Sequence, residues 1–424
     1  MTLGWYGIAV GTLLLLKLLL SIRRTDAVAQ PRRAYTPDLS VAAIITVYNE
    51  APEMIRRCLE SLLAQTHLPN WVVMVDDCSK TDDAHRVLGQ LQPAFAAAGV
   101  QLDLIRFGSN TGKRHALAAG FKTHPNADLY LCVDSDTILH PAALQEAVLP
   151  FRSDHVHAVT GLVLANNRAV NLLTRLIDMR YVNAFLGERV AYGRLGSVLC
   201  ACGSLAVYRG WVIRKHLPDF LSQTFLNKPA TFGDDRRLTY YALTEGESLI
   251  VPTAIAHTDV PENLNHYIRQ QIRWGKSFIR EGVLLAAQLR YARRVFYWLN
   301  LLELITWITF TVALLLAMAA IPLHPAGPII LGTYCVYACV AAWLRSLHYL
   351  RRAPGVPFPD RILTFAAAPL YALLNICLLL PLRLYSLATL GRNGWGTRAH
   401  IEVQTPELTS PARVPVTSSQ VYSV

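Results

Sequence analysis

The sequence predicts an α/β domain built on a mostly parallel sheet, joined to an α-helical transmembrane region with amphipathic helices at the membrane interface. Three observations predict it. Short, largely apolar runs alternate with segments of helical spacing between residues 38 and 258. Strands apolar on both faces belong to parallel sheets covered by helices on each side. Three of the first four runs end in acidic or amide residues, at the carboxyl ends where open α/β sheets bind ligands. Long apolar runs lie at both ends of the chain, outside that domain.

Taken in order, residues 3–22 are almost continuously apolar, with Lys17 near one end. Twenty residues suffice to span a hydrocarbon core of about 30 Å. A secretory leader would carry basic residues before the run. Here Arg23, Arg24, Arg32 and Arg33 follow it instead. The excess of arginine predicts an N-terminus outside and the following domain in the cytoplasm. Within that domain the runs are 41–47, 71–75, 101–105 and 129–133. Helical spacing appears over 53–65 (Ile55, Leu59, Leu62, Leu63) and 115–121. Segment 259–295 is amphipathic and basic, with Leu264, Ile268, Ile272 and Ile279 at helical spacing and Arg269, Arg273, Lys276 and Arg280 among them. It reads as amphipathic helices at the interface carrying a motif of the site, or as plain interfacial helices whose cations snorkel.

Two spans follow, at 296–321 and 329–344, joined by a turn containing Pro322, Pro325, Gly327 and Pro328. Arg345, Arg351 and Arg352 return the chain to the inside. Residues 361–390 are apolar but carry Pro369 and Pro381, with Arg383 and Arg392 near the far end. They are expected to form a broken helix or helix pair that returns to the same side. The chain thus divides at 1–22, 38–258, 259–295, 296–390 and 391–424.

Composition agrees. Of 424 residues, 53% are hydrophobic and 16% charged, below the ~25% charged of soluble domains. This excludes a plain soluble enzyme, a disordered chain and a disulfide scaffold. Eight cysteines in a chain of this length fit a reducing compartment. The net charge of +11 fits a membrane surface, or a site for an anionic, phosphate-bearing substrate. Nothing points to nucleic acid or to an obligatory protein partner.

Several motifs could carry chemistry. Asp134-x-Asp136 follows a buried run; two carboxylates so spaced can hold a hard divalent cation or simply cap a turn. Asp76-Asp77 is open to the same two readings. Asn110-x-Gly112-Lys113-Arg114 could serve a phosphate or cap the next helix. Phe232-Gly233-Asp234-Asp235-Arg236 follows a polar stretch, and Gln270-Gln271-Ile272-Arg273-Trp274 lies in the amphipathic segment. Glu303 within 296–321 faces a polar path or ends a helix near the interface. Cys200-x-Cys202 lacks the second Cys or His pair of a zinc site.

In order and spacing, these motifs resemble the processive, membrane-embedded inverting glycosyltransferases of family 2. These include hyaluronan, chitin, cellulose and nodulation chitin-oligosaccharide synthases. The resemblance covers residues 41–398 and implies a nucleotide-sugar transferase domain of GT-A type. It is greatest to the hyaluronan synthases, through Gly233-Asp234-Asp235-Arg236, Thr258-Asp259-Val260-Pro261, Arg273-Trp274-x-Lys276-Ser277-Phe278-x-Arg280-Glu281 and Trp395-Gly396-Thr397-Arg398. Two features depart from that pattern. Cys202-Gly203-Ser204 stands where hyaluronan synthases usually have Ser-Gly-Pro, and is similar to the cellulose synthases. One N-terminal span is present where many members have two.

The resemblance implies a multi-pass enzyme of the plasma (inner) membrane with its catalytic domain in the cytoplasm. It implies UDP-GlcNAc and UDP-GlcA as donors and a growing polysaccharide, hyaluronan, as product. A chitin-type synthase using UDP-GlcNAc alone is the alternative. Mg2+ or Mn2+ is the implied cofactor, with Asp136 the direct ligand and Asp134 beside it. Tyr48, Glu50, Asp76, Asp77 and Lys113 would line the uridine end. Asp235 would be the general base, with Asp234 holding the local geometry. Gln270 would fix Arg273 against the diphosphate and Trp274 under the acceptor sugar, with Cys202 and Gly203 as a wall of the acceptor site. Trp395 and Arg398 would lie on a gating loop over the donor. A catalytically silent scaffold has no reason to keep Asp134, Asp136, Asp235, Arg273 and Trp274 together.

Overall fold

The computed structural model describes residues 2–22, 38–320 and 325–392. They divide into two units. The α/β unit comprises the described parts of Gln30–Asn166, Val198–Asp259 and Gly391–Val424. Its strands are β1 (Val41–Val47), β2 (Trp71–Asp76), β3 (Gln101–Arg106), β4 (Leu129–Asp134), β5 (Thr137–Leu139), β6 (Val156–Ala165), β7 (Ala206–Arg209), β8 (Thr224–Phe225), β9 (Lys228–Pro229) and β10 (Glu247–Thr258). Eight form one sheet in the order β3-β2-β1-β4-β7-β6-β10-β5, and β8 and β9 form a separate ribbon.

The sheet is mostly parallel, as expected. The pairs β1/β2, β2/β3, β1/β4 and β6/β10 are parallel. Short β7 runs antiparallel between β4 and β6, and β5 antiparallel to β10. The apolar runs form these strands because both faces are covered: all ten residues of β6 are buried, and so are six of seven in β1. The chain winds from β1 to β3 in one direction, then returns to place β4 on the other side of β1. This reversal is a topological switch point, where the loops beyond the strands part and leave a crevice. Thr46 is level with Asp134 and Val47 with Asp76, so two of the predicted carboxylates end strands that flank β1.

Helix Lys113–Thr123 lies close on the sheet through small residues. A Cβ at Gly120 would sit 2.4 Å from Ile44 Cγ2. That close approach, together with Gly112 at φ 89° before the first turn, sets the position of Lys113. Helix Asp234–Glu245 begins after Gly233, whose φ of 94° is left-handed, and carries Asp234 and Asp235 in its first turn, where the helix dipole favours negative charge.

The helical unit comprises the described parts of Met1–Ala29, Asn167–Ser197 and Val260–Leu390. Residues 167–197, which sequence reading leaves inside the α/β segment, group here. Among the described residues, three helices are long and apolar enough to cross a membrane: Val295–Ala317, Gly327–Arg352 and Ala368–Ala388. Helix Thr2–Ile22 has 21 residues, with a shorter apolar stretch at Gly7–Ile22. Lys17 in it is ion-paired with Glu188.

Two expectations meet a different structure. Pro381 does not cut the segment 361–390: a π-helical turn, Asn375–Leu379, joins Ala368–Leu374 to Leu380–Ala388. The chain does break beside Pro369, between Phe358–Ala366 and Ala368–Leu374, where the proline sits in the first turn of the new helix. The amphipathic segment forms one long helix, Leu264–Ala286, and Lys276 and Arg280 are buried in it, not snorkelling.

Candidate active site

Four predicted residues meet in one pocket of the α/β unit: Lys113, Asp134, Gly203 and Asp235, with Tyr208, Cys132 and Leu238 among its walls. Asp134, the last residue of β4, is ion-paired with Lys113 and accepts from Ser204 Oγ at 3.2 Å. Asp235 Oδ2 accepts from the backbone N–H of Gly203 at 3.1 Å. The carbonyl of Asp235 accepts from Thr239 Oγ1 at 2.6 Å and Tyr208 Oη at 3.4 Å. Burial pushes the Asp235 carboxyl above the usual carboxylate range. The charge of Lys113 opposes that rise, while Asp134 and Asp234 add to it. A buried aspartate raised in this way is suited to taking a proton. For Lys113, burial works against the charge, but the adjacent Asp134 and Asp235 carboxylates outweigh it and hold the amine protonated.

Asp234 points away from this chemistry. Its Oδ1 accepts from Arg114 Nε at 2.7 Å, with both side chains almost fully buried. Arg114 also donates to Gln223 Oε1 at 2.5 Å and the Phe220 carbonyl at 3.2 Å. This lock ties the start of helix Asp234–Glu245 to helix Lys113–Thr123, so Asp235 and Lys113 hold a fixed separation. Breaking one partner of such a buried pair costs about 3–5 kcal/mol.

The remaining donor-side residues surround the ends of β1 and β2. Asp76 Oδ1 accepts from the Ser79 N–H at 2.9 Å, and its Oδ2 lies 3.4 Å from Arg106 Nε. Asp77 accepts from the Thr111 and Gly112 backbone N–H groups at 2.7 and 2.8 Å. Burial nonetheless pushes its pKa up to about 6. Tyr48 and Glu50 flank Asn49, whose φ of 50° is left-handed and whose side chain accepts from the Lys80 N–H at 2.8 Å. Asp136 accepts from Thr258 Oγ1 at 3.1 Å. Burial, then the charges of Asp136, Asp134 and Glu50, push the Cys58 thiol up. Asp134 at the end of β4 and Asp136 two residues on offer carboxylate oxygens of the hard type that a divalent cation takes. Among the described residues, no group of three His, Cys, Asp or Glu side chains could hold one by itself.

Gln270, Arg273 and Trp274 lie on helix Leu264–Ala286 of the helical unit. The Trp274 ring is 6.3 Å from that of Tyr181, and the Arg180 guanidinium lies over it at 5.4 Å. Cys202 donates its backbone N–H to Thr160 Oγ1 at 3.1 Å, which fixes the turn presenting Gly203. Trp395 and Arg398 lie outside the described residues. Sequence reading missed the roles of Ser204, Tyr208, Arg114 and Thr258, whose partners are 27 to 122 positions away.

Gly203 gives a sharp test of this geometry. A Cβ there would lie 2.8 Å from Asp235 Oδ1 and 3.1 Å from Oδ2. Gly203→Ala should displace the Asp235 carboxylate at a cost of about 1–3 kcal/mol. Turnover should fall at least about tenfold while the melting temperature moves by only a few degrees; unchanged turnover would show that Asp235 tolerates displacement.

Carboxylates at a switch point, beside a lysine and a raised aspartate, define a nucleotide-sugar glycosyltransferase domain of GT-A architecture. Comparison with known proteins gives the family. The chain belongs to glycosyltransferase family 2: residues 37–277 match the family described as Glycosyltransferase like family 2. It is 37% identical over 404 residues to a hyaluronan synthase of Streptococcus pyogenes, covering 95% of this chain and 92% of that one. It is 35% identical over 363 residues to an N-acetylglucosaminyltransferase of Mesorhizobium japonicum, covering 85% and 82%. Among solved structures, a mannosyltransferase from Pyrobaculum calidifontis in complex with GDP-Man and Mn2+ shares the fold. Its TM-score is 0.56 at 20% identity, over 89% of this chain and 99% of that one.

Proposed function

We propose that this chain is a processive inverting glycosyltransferase that polymerises UDP-GlcNAc and UDP-GlcA into hyaluronan and moves the polymer across the membrane. The observation that carries this reading is the pocket in which Asp235, held by Gly203, shares space with Asp134 and Lys113. The near full-length similarity to streptococcal hyaluronan synthases supports the polymer assignment.

In the proposed reaction an acceptor hydroxyl attacks C1 of the donor sugar. A new C1–O bond forms, the C1–phosphate oxygen bond breaks, and UDP leaves. Asp235 accepts the hydroxyl proton, and its raised pKa matches that task. Asp136 and Asp134 would hold Mg2+ or Mn2+. When bound, the cation neutralises the leaving diphosphate. Tyr48, Glu50, Asp76 and Asp77 take the uridine end, with Asp77 fixed by the Thr111 and Gly112 amides. Arg273 pairs with the diphosphate through its planar fork, Gln270 orients it, and Cys202 walls the acceptor site.

Trp274 stacks against the acceptor sugar. Trp274→Ala should raise the acceptor KM by about tenfold and leave the KM for UDP-GlcNAc unchanged. A weakened donor with normal acceptor use would reverse that assignment.

The α/β unit lies on the cytoplasmic face of the plasma membrane, and one chain suffices. Inverted membrane vesicles fed both donors should accumulate polymer that resists added hyaluronidase until detergent opens them. Polymer digested without detergent would remove translocation, and polymer resistant even with detergent, made from UDP-GlcNAc alone, would move the product to a chitin-type chain.

A further inference from the structure

Arg180 has no role in the chemistry above. It lies on helix Leu172–Asn183, half-buried, with its guanidinium over the Trp274 ring. Burial works against its charge, and the groups acting on it are Tyr371, Tyr267, Tyr181 and Glu188. The tyrosines are neutral at neutral pH, and the Tyr267 and Tyr371 hydroxyls lie 3.4 Å from each other. Glu188 is the only carboxylate in that set, and it is engaged by Lys17. Among the described residues, no carboxylate lies within ion-pair distance of Arg180. The groups acting on it outweigh burial and keep Arg180 charged, yet none gives its guanidinium a directly paired carboxylate, so its planar fork is open to an anion bound beside the indole.

We infer that Arg180 recognises the carboxylate of a uronate residue in the acceptor chain, making the platform selective for an acidic polysaccharide. The inference rests on the reading of Trp274 as an acceptor platform. A pyranose stacked on the indole carries its ring carboxylate at the rim, within reach of a cation that already flanks the indole. A guanidinium binds such a planar anion through two parallel hydrogen bonds. A phosphate offers similar chemistry, so donor affinity must be measured in parallel.

The test uses the full chain in lipid nanodiscs. It measures binding of an octasaccharide of alternating GlcNAc and GlcA, and of its carboxyl-reduced counterpart. The wild type should bind the reduced form about tenfold or more weakly. Arg180→Met should bind the native form as weakly as wild type binds the reduced one, with no further loss on reduction. Arg180→Lys should fall between. UDP-GlcNAc affinity should stay unchanged in both variants; a loss there would give the cation to a phosphate and overturn the inference. Equal binding of the two octasaccharides by wild type would also overturn it, whether or not the variants fold. An equal loss of both octasaccharides in Arg180→Met would reduce Arg180 to packing. The platform is tested separately: octasaccharide binding unaltered by Trp274→Ala would remove that reading and the inference with it.

Discussion

Asp235→Asn should reduce sugar transfer by about two to four orders of magnitude while leaving UDP-sugar affinity nearly intact. The substitution keeps the shape of the side chain and its contact with the Gly203 N–H, but in the proposed reaction it removes the oxygen that would take the acceptor proton. The acceptor side would lose its base, and the proposed donor side at Asp134, Asp136 and the uridine pocket would not change. The same residue sets a pH dependence. Burial raises the Asp235 pKa, and only the ionised form acts as a base. Activity should therefore fall as pH drops through a value above the ordinary carboxylate range of about 4, and the acid limb should vanish from the residual activity of Asp235→Asn. Measurement of kcat/KM against pH for both proteins, with donor binding measured in parallel, checks this. A variant that polymerises at near wild-type rate would place the base elsewhere.

Metal removal should have the second large effect. Excess EDTA should abolish turnover, and Mg2+ or Mn2+ should restore it. Asp136→Asn should cost about a hundredfold, because a cation at a transferring phosphate contributes several kcal/mol of charge stabilisation and each 1.36 kcal/mol is a factor of ten. Asp136 is the cleaner position to change. Asp134 also carries the ion pair to Lys113 and the Ser204 hydrogen bond, so its loss would disturb the pocket itself. Full activity in excess EDTA would contradict the cation's role.

Much of this was legible in the sequence, and the reasons are physical. Strand β3 alternates apolar with polar residues, whereas β1, β2 and β4 stand out because each is a nearly continuous apolar run that ends in polar residues. Their carboxyl-terminal carboxylates mark the site before any topology is known. Strands β6, β7 and β10 do not stand out in this way. β7 has only four residues, and its place between β4 and β6 depends on pairing partners about 50 to 80 positions away. The Arg114–Asp234 lock joins residues 120 positions apart, with no local pattern to announce it. The family resemblance places Lys113 at the uridine end; its pairing with Asp134 depends on how helix Lys113–Thr123 packs on Ile44. Residues 167–197 join the helical unit through tertiary contacts such as Glu188 with Lys17, which periodicity cannot encode. Pro381 reads as a break, as Pro369 is, because sequence alone does not reveal the π-helical turn that carries the chain past it.

The central claim is that one chain transfers two different sugars from UDP at the Asp235 pocket. The most direct test is UDP release by the purified chain in lipid nanodiscs, with UDP-GlcNAc alone, UDP-GlcA alone and both together. Sustained release only with both donors, absent in Asp235→Asn, is the predicted result. Sustained release with UDP-GlcNAc alone, or release from both donors that survives in Asp235→Asn, would contradict it.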